Sequence, residues 1–314
     1  MGIRTGWRQL VQMRHELTGV LAALNGIRAE MARRNEIEAS AAQEDLAAMR
    51  QELRLHRRYH EIARHWMLDS VMSEVCELTD RVQMDFETTV DHLVDDRVCF
   101  ARFGDGELRL MLRPDHNTRF QVGGSALRAD LRRVFTLEGY DPKRLLIGFP
   151  HPYRKNLHWC SVWMDLWSDL KRLVPDGVPL GNSHVTRPIF FEQLRADGTR
   201  LWRRVWDGLR VTVITGAGSR FNLPDGLFDN VAQIDRLDSL PENAYTDLPR
   251  LLAETDRLDS ELFLIALGPA GTVLAAELSD RGRWALDIGH ISNSWQRIFA
   301  DAPMPERLDT VIPD

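Results

Sequence analysis

The chain has 314 residues, a net charge of −6, 44% hydrophobic and 27% charged residues. That balance is that of a soluble globular protein with one large or two ordinary domains. It argues against a protein that holds nucleic acid by bulk positive charge. Three scattered cysteines, Cys76, Cys99 and Cys160, argue against a disulfide framework or a zinc site and for a reducing compartment.

The first element is a long helix. Leu10, Met13, Leu17, Val20, Leu24, Ile27 and Met31 recur at alternating spacings of three and four, which is a heptad seam. The register slips between Arg34 and Glu38, then resumes at Leu46, Met49 and Leu53. Charged residues such as Arg14, Glu16, Arg28 and Glu30 flank it. Residues 7–60 therefore read as a coiled coil, within a first region of 1–65 and ahead of a domain of 66–314. The other reading is a solvated helix folded back on its own domain. Gly19 and Gly26 each weaken the helix by ~1 kcal/mol relative to alanine.

Val71, Val75, Leu78, Val82, Phe86 and Val90 continue at helical spacing, which predicts one packed stripe. The pattern then changes. Short apolar runs at 98–100, 145–149, 211–215, 263–267 and 285–288 alternate with helix candidates near 124–138, 157–173, 187–206, 246–256 and 270–281. Such alternation predicts an α/β fold with a mostly parallel sheet flanked by helices. No secretory leader is evident, and the apolar run 262–278 is interrupted by Gly268-Pro269 and Gly271. It reads as a strand, a turn and a helix start rather than a membrane span. A cytoplasmic location is expected, with any association to the inner membrane face made through partners.

Several strand ends carry chemistry. Arg102-Phe103-Gly104-Asp105-Gly106-Glu107 follows the run 98–100. Two carboxylates two residues apart in a loop could hold one hard cation, Mg²⁺ or Mn²⁺, together with a substrate's phosphates. The other reading is an ordinary acidic turn. Thr215-Gly216-Ala217-Gly218-Ser219-Arg220 is small enough for backbone amides to approach a phosphate, and Arg220 suits phosphate pairing. It lacks the third glycine of a dinucleotide fingerprint. Thr186-Arg187-Pro188 opens a helix; Thr186 is a ligand contact or a plain cap. Leu267-Gly268-Pro269-Ala270-Gly271-Thr272 joins a strand to a helix whose N-terminus favours anions. Asp287-Ile288-Gly289-His290 ends the last strand, where Asp287 and His290 could do acid–base work or be structural. His151 and His158 have no metal-ligand spacing and stay unassigned.

The order of these motifs is more specific than any one of them. Together with Leu227-Phe228-Asp229-Asn230, Asn243-Ala244, the tail Leu267-Gly268-Pro269 through Thr272-Val273-Leu274, and Asp287-Ile288-Gly289-His290-Ile291, the chain resembles the GT-D fold glycosyltransferases over about residues 95–295. That family was long a domain of unknown function in bacterial cell-surface glycosylation. The resemblance implies a Rossmann-like sheet and a D-x-E metal motif, here Asp105 and Glu107. It implies a nucleotide-sugar donor, typically UDP-linked, met by Arg102, Arg187 and Arg220. Amides near Gly216 and Gly218, or between Gly268 and Thr272, would add fixed positive potential to the donor site, with Pro269, which has no N–H, as a lining residue. Asn222-Leu223-Pro224-Asp225-Gly226 and Ser292-Asn293-Ser294-Trp295 depart from the family pattern; the second lacks its acidic residues.

The expected activity is metal-dependent transfer of a hexose to a glycan, glycoprotein or glycolipid acceptor, with Asp287 and His290 as candidate bases. Two alternatives stay open: another nucleotide-dependent transferase, and a non-catalytic coiled-coil assembly protein with a vestigial nucleotide site. The seam predicts a homo-oligomer, because a lone helix with an apolar stripe is poorly stable in water. Deleting residues 1–60 is expected to lower the solution mass measured by sedimentation while donor hydrolysis survives. An unchanged mass would mean that the seam packs on its own chain.

Overall fold

The computed structural model describes residues 3–303, and the side chains of all of these except 3–15, 36–41, 44 and 64–67. The chain divides into two units, Met1–Met67 and Leu68–Asp314. Helix α1 runs from Ile3 to Val82. Within the first unit the seam residues Leu17, Val20, Leu24, Ile27 and Met31 are 57–65% exposed. Leu10 and Met13 lie outside the described side chains.

The second unit holds a seven-stranded sheet in the order β3-β2-β1-β7-β6-β4-β5. The strands are β1 (Cys99–Arg102), β2 (Leu145–Phe149), β3 (Gly181–Asn182), β4 (Arg210–Gly216), β5 (Gln233–Ser239), β6 (Leu262–Ala266) and β7 (Ala285–Asp287). Every pairing among them is parallel. A parallel sheet buried on both faces uses continuous apolar strands, which is why β1, β2, β4 and β6 are legible as short apolar runs. Alternate residues divide between two cores. Cys99, Ala101, Ile147 and Ile265 face one; Phe100, Leu146, Leu264 and Leu286 face the other.

Helices α3 (Asp105–Leu112), α4 (Ser125–Phe135), α5 (Leu157–Leu170), α7 (Leu248–Thr255) and α8 (Pro269–Asp280) bury their apolar residues in the first core, with Met72 and Val75 of α1. Helices α2 (Phe86–Asp95), α6 (Pro188–Trp206) and α9 (Ile291–Phe299) pack on the opposite face. The crossovers β1→β2, β2→β3, β5→β6 and β6→β7 all move one way along the sheet through the first face. The crossover β3→β4 moves the other way through the opposite face. One handedness of crossover requires this division.

Three expectations change. The stripe from Val71 to Val90 belongs to two helices. Met84 N–H donates to the Leu180 carbonyl at 2.8 Å and Leu180 N–H to that of Val82 at 2.9 Å, so the chain between them pairs as an extended segment. Asp85 then caps α2, accepting from Thr88 N–H at 2.7 Å. Two strands went unread: β3 has only two residues, and edge strand β5 is mostly polar and exposed. The acidic motif is not in a loop. Asp105 and Glu107 lie in the first turn of α3, and Gly104 N–H donates to Glu107 Oε2 at 2.8 Å. This is half of a capping box, which satisfies one orphan donor of the helix start.

The second core depends on stacked indoles. Trp206 is fully buried, lies 4.6 Å from the Phe228 ring at 18°, and donates from Nε1 to the Leu227 carbonyl at 2.9 Å. Trp206→Ala is expected to destabilise the domain by ~3–5 kcal/mol, measured as a lowered urea midpoint. Arg200→Ala on the exposed side of α6 should leave the midpoint nearly unchanged.

Candidate active site

Ligands of open α/β sheets collect beyond the C-terminal strand ends, where neighbouring strands send the chain to opposite faces. β1 leads to α3 on one face and its neighbour β7 leads to α9 on the other. Arg102 ends β1 and Asp287 ends β7, so the topology brings two charged side chains to this crevice.

Arg102 is 7% exposed, and its buried Nε has no hydrogen-bond partner among the described residues. Nε lies 4.0 Å from Asp287 Oδ1. Asp287 has no exposed surface. Its Oδ1 accepts from Gly289 N–H at 3.1 Å. The Thr272 hydroxyl stands 3.1 Å from Asp287 Oδ2 and 3.0 Å from the Arg102 carbonyl, tying α8 to both strand ends. Gly289 has φ +47°, and a Cβ there would come within 2.8 Å of the Arg102 guanidinium. Only glycine meets both conditions. Burial pushes the Asp287 carboxyl up to about 7 against the lowering pull of Arg102, and Glu107 adds to the rise.

Two histidines complete the crevice. His290 is half-buried at the start of α9. Its ring is held neutral, well below the usual imidazole range, first by burial and then by Arg187, Arg102 and Arg220. His184, in a 3₁₀ turn over Ser183–Thr186, is held neutral by burial, Arg187, Arg102 and His151. Three arginines, from the end of β1, the start of α6 and the loop after β4, thus act on one imidazole.

Other expected residues are placed differently. Thr186 is fully buried and its hydroxyl has no partner among the described residues; it makes no cap on α6. Pro269 and Thr272 are buried in the first turn of α8, and the Thr272 hydroxyl is spent inside the fold. Gly216 and Gly218 form a tight turn after β4. Ala217 N–H already donates to Ser239 O at 2.8 Å and Ser219 N–H to Gly216 O at 2.9 Å, so this loop offers no run of free amides. Gly268 is half-buried at φ +56°, where it turns the chain into α8. As placed, Asp287 has no surface from which to reach an acceptor.

The acids Asp105 and Glu107 supply hard oxygens. Asp105 Oδ2 is 3.0 Å from His158 Nε2, with the Asp105 side chain 43% exposed. Glu107 is buried with Oε2 on Gly104 N–H. Among the described residues no group of three or more His, Cys, Asp or Glu forms a preset metal cage. The chemistry of the pair fits Mg²⁺ or Mn²⁺, which dehydrate reluctantly and take one or two carboxylates plus water and substrate phosphates. Sequence reasoning left His151, Tyr153, Trp159 and His184 out of the site. Only the brief strand β3 reveals that His184 turns back to them.

A carboxyl whose folded pKa exceeds its unfolded value of about 4 binds more protons folded, so its contribution to stability is lost as pH rises. For Asp287 that window runs from about 4 to about 7. Relative to wild type, Asp287→Asn is expected to gain stability as pH rises through the window, with a plateau above it. Urea unfolding at several pH values measures this; a difference constant with pH would count against the raised pKa.

The glycosyltransferase GT-D fold family matches residues 100–310. The chain is 26% identical over 222 residues to glycosyltransferase GlyD of Streptococcus pneumoniae serotype 4 (strain ATCC BAA-334 / TIGR4), covering 67% of this chain and 27% of that protein. It is 25% identical over 224 residues to the Streptococcus gordonii protein named Probable glycosyl transferase Gly, covering 68% and 32%. It therefore spans about a third or less of these curated relatives. A solved structure described as domain of unknown function 1792, with a distinct glycosyltransferase fold, superposes with a TM-score of 0.67 at 22% identity, over 77% of this chain and 88% of that one. One described as a new glycosyltransferase (DUF1792) from Streptococcus sanguinis gives 0.63 at 24%, over 70% and 85%. These likenesses show the fold. With two-thirds of its length matched by the family and the same sheet beneath the same motifs, the chain belongs to the GT-D fold glycosyltransferases.

Proposed function

We propose that the protein transfers a sugar from a nucleoside-diphosphate donor, UDP-linked, to a hydroxyl of a glycan, glycoprotein or glycolipid. The observation that supports this most is the nearly buried Arg102 at the β1/β7 crevice, whose Nε has no hydrogen-bond partner among the described residues, with Arg187 and Arg220 near enough to act on His290 beside it. Three guanidinium groups beside a buried strand end suit a diphosphate. Asp105 and Glu107 would hold Mn²⁺ or Mg²⁺, which when bound supplies Lewis-acid neutralisation of the leaving diphosphate.

The chain's own groups divide the remaining work. As the bond from sugar C1 to the diphosphate oxygen breaks, its electron pair passes to the diphosphate. Arg102, Arg187 and Arg220 present fixed positive charge to it in a site that needs little reorganisation. The acceptor oxygen bonds to C1 and loses its proton. His290, neutral and half-buried, has a nitrogen lone pair available for that proton. Asp287 acts through Arg102 instead: buried beside Nε and tied to Thr272, it fixes where the guanidinium sits.

Asp105→Asn and Glu107→Gln are each expected to abolish turnover of a nucleotide sugar, and to remove the Mn²⁺ dependence of UDP binding by calorimetry, with the protein still folded. Arg220→Ala should raise the UDP dissociation constant at least tenfold, since a charge-assisted contact contributes about 1.5–3 kcal/mol; Arg200→Ala, paired with Asp197 on the surface, should not. Release of free sugar rather than sugar phosphate separates glycosyl transfer from phosphoryl or nucleotidyl transfer. Full activity in both acid variants would remove the metal from the mechanism.

A further inference from the structure

The sheet edge has another point where the chain changes face. β2 leads to α5 on one face, and β3 leads through the 3₁₀ turn to α6 on the other. A cavity of about 960 Å³ opens there, at the upper end of the ~300–1,000 Å³ typical of small-molecule sites. It shares His184 and Arg187 with the arginine crevice, so the two adjoin without coinciding.

One wall is aromatic. The Tyr153 and Trp159 rings lie 4.9 and 5.0 Å from the His184 ring, at 86° and 73° to it. His151 sits 5.2 Å from Tyr153 at 70°. Unlike the fully buried Trp163, Trp202 and Trp206, Trp159 is half-buried and borders the cavity. Charges of both signs are also present, Asp80 from the last turns of α1 and Glu192 from α6 among the cations Arg154, Lys155, Arg187 and Arg297.

We propose that this cavity is the acceptor site and takes a sugar ring of a glycan, an inference that rests on the donor site proposed above. The acceptor oxygen must reach C1, which hangs from the diphosphate. Its crevice must therefore adjoin the arginines, and Arg187 stands at that junction with His290 in its field. A pyranose offers an apolar C–H face and a rim of hydroxyl groups. Perpendicular aromatic rings cover the former, and carboxylates and imidazole nitrogens pair with the latter. A lipid tail would want an uncharged aliphatic lining, which Asp80, Glu192 and Arg187 deny it.

The test is saturation-transfer NMR on the full chain with UDP and diamagnetic Mg²⁺ present. The probes are methyl β-D-glucopyranoside, methyl β-D-galactopyranoside and methyl N-acetyl-β-D-glucosaminide. At least one is expected to receive saturation on its ring protons. Trp159→Leu and Tyr153→Leu should each cut that signal by roughly fivefold, and the exposed Glu192→Gln, which poses no threat to folding, should weaken it. The UDP dissociation constant should stay within about twofold of wild type. Absence of transfer to all three glycosides on wild type overturns the proposal, as does transfer that ignores all three substitutions. A rise of about tenfold in the UDP constant with glycoside signals intact also overturns it, and assigns the cavity to the donor's nucleoside. Failure of wild type to bind UDP sinks the donor reading instead, while glycoside transfer measured without nucleotide still decides the cavity.

Discussion

A nearly buried guanidinium at the end of the inner strand β1 organises this domain. Taking an arginine out of water costs several kcal/mol unless an opposite charge and hydrogen bonds offset it. At Arg102 the offset comes from one carboxylate 4.0 Å away, itself without exposure. Neither group is well solvated, and the Arg102 Nε has no protein partner among the described residues. The arrangement persists because the surrounding backbone fixes it. β1 is hydrogen-bonded on both sides, α8 is tied down through Thr272, and Gly289 leaves room that any side chain would fill. An anion arriving at this strand end meets a charge already stripped of water and held in place.

Changes of crossover face shape the edge above it. A single-handed chain whose crossovers run in both directions along the sheet must cover opposite faces with the helices of opposite-going crossovers, and it leaves a crevice wherever the face changes. Here that happens on both sides of β7, against β1 and against β6, and again between β2 and β3. The β1/β7 crevice is cationic, the β2/β3 cavity aromatic with mixed charge. A transferase needs two substrates side by side, and on the reading proposed above the β2/β3 cavity adjoins the β1/β7 crevice through His184 and Arg187.

The histidines show how strongly position governs chemistry. His158 is exposed and pairs with Asp105. His184 and His290 are kept neutral by burial and arginines. His151, half-buried beside Gln83 at 3.0 Å, is lowered mainly by burial. Nothing in the local sequence around these four residues tells them apart.

The sequence by itself determined the α/β class, five of the seven strands, the extent of the main helices and the order of motifs. Apolar runs and helical periodicity are local consequences of burial on two faces, so they are written in consecutive residues. The sequence also pointed to Arg220, Asp287 and His290 as residues at or just after strand ends, and to Arg102 and Arg187 through the resemblance in motif order. Tertiary structure alone decided the rest. It turned Asp105 and Glu107 from a loop into a helix start, because Gly104 and Glu107 cap that helix between them. It buried Thr186, Pro269 and Thr272, and consumed the amides of the Gly216–Gly218 turn, because hydrogen bonds across 170 residues or to a neighbouring strand leave no pattern in one segment. It also assembled His151, Tyr153, Trp159 and His184 into one wall through a two-residue strand. A strand that short gains its stability from its neighbours, so only the folded sheet could place it.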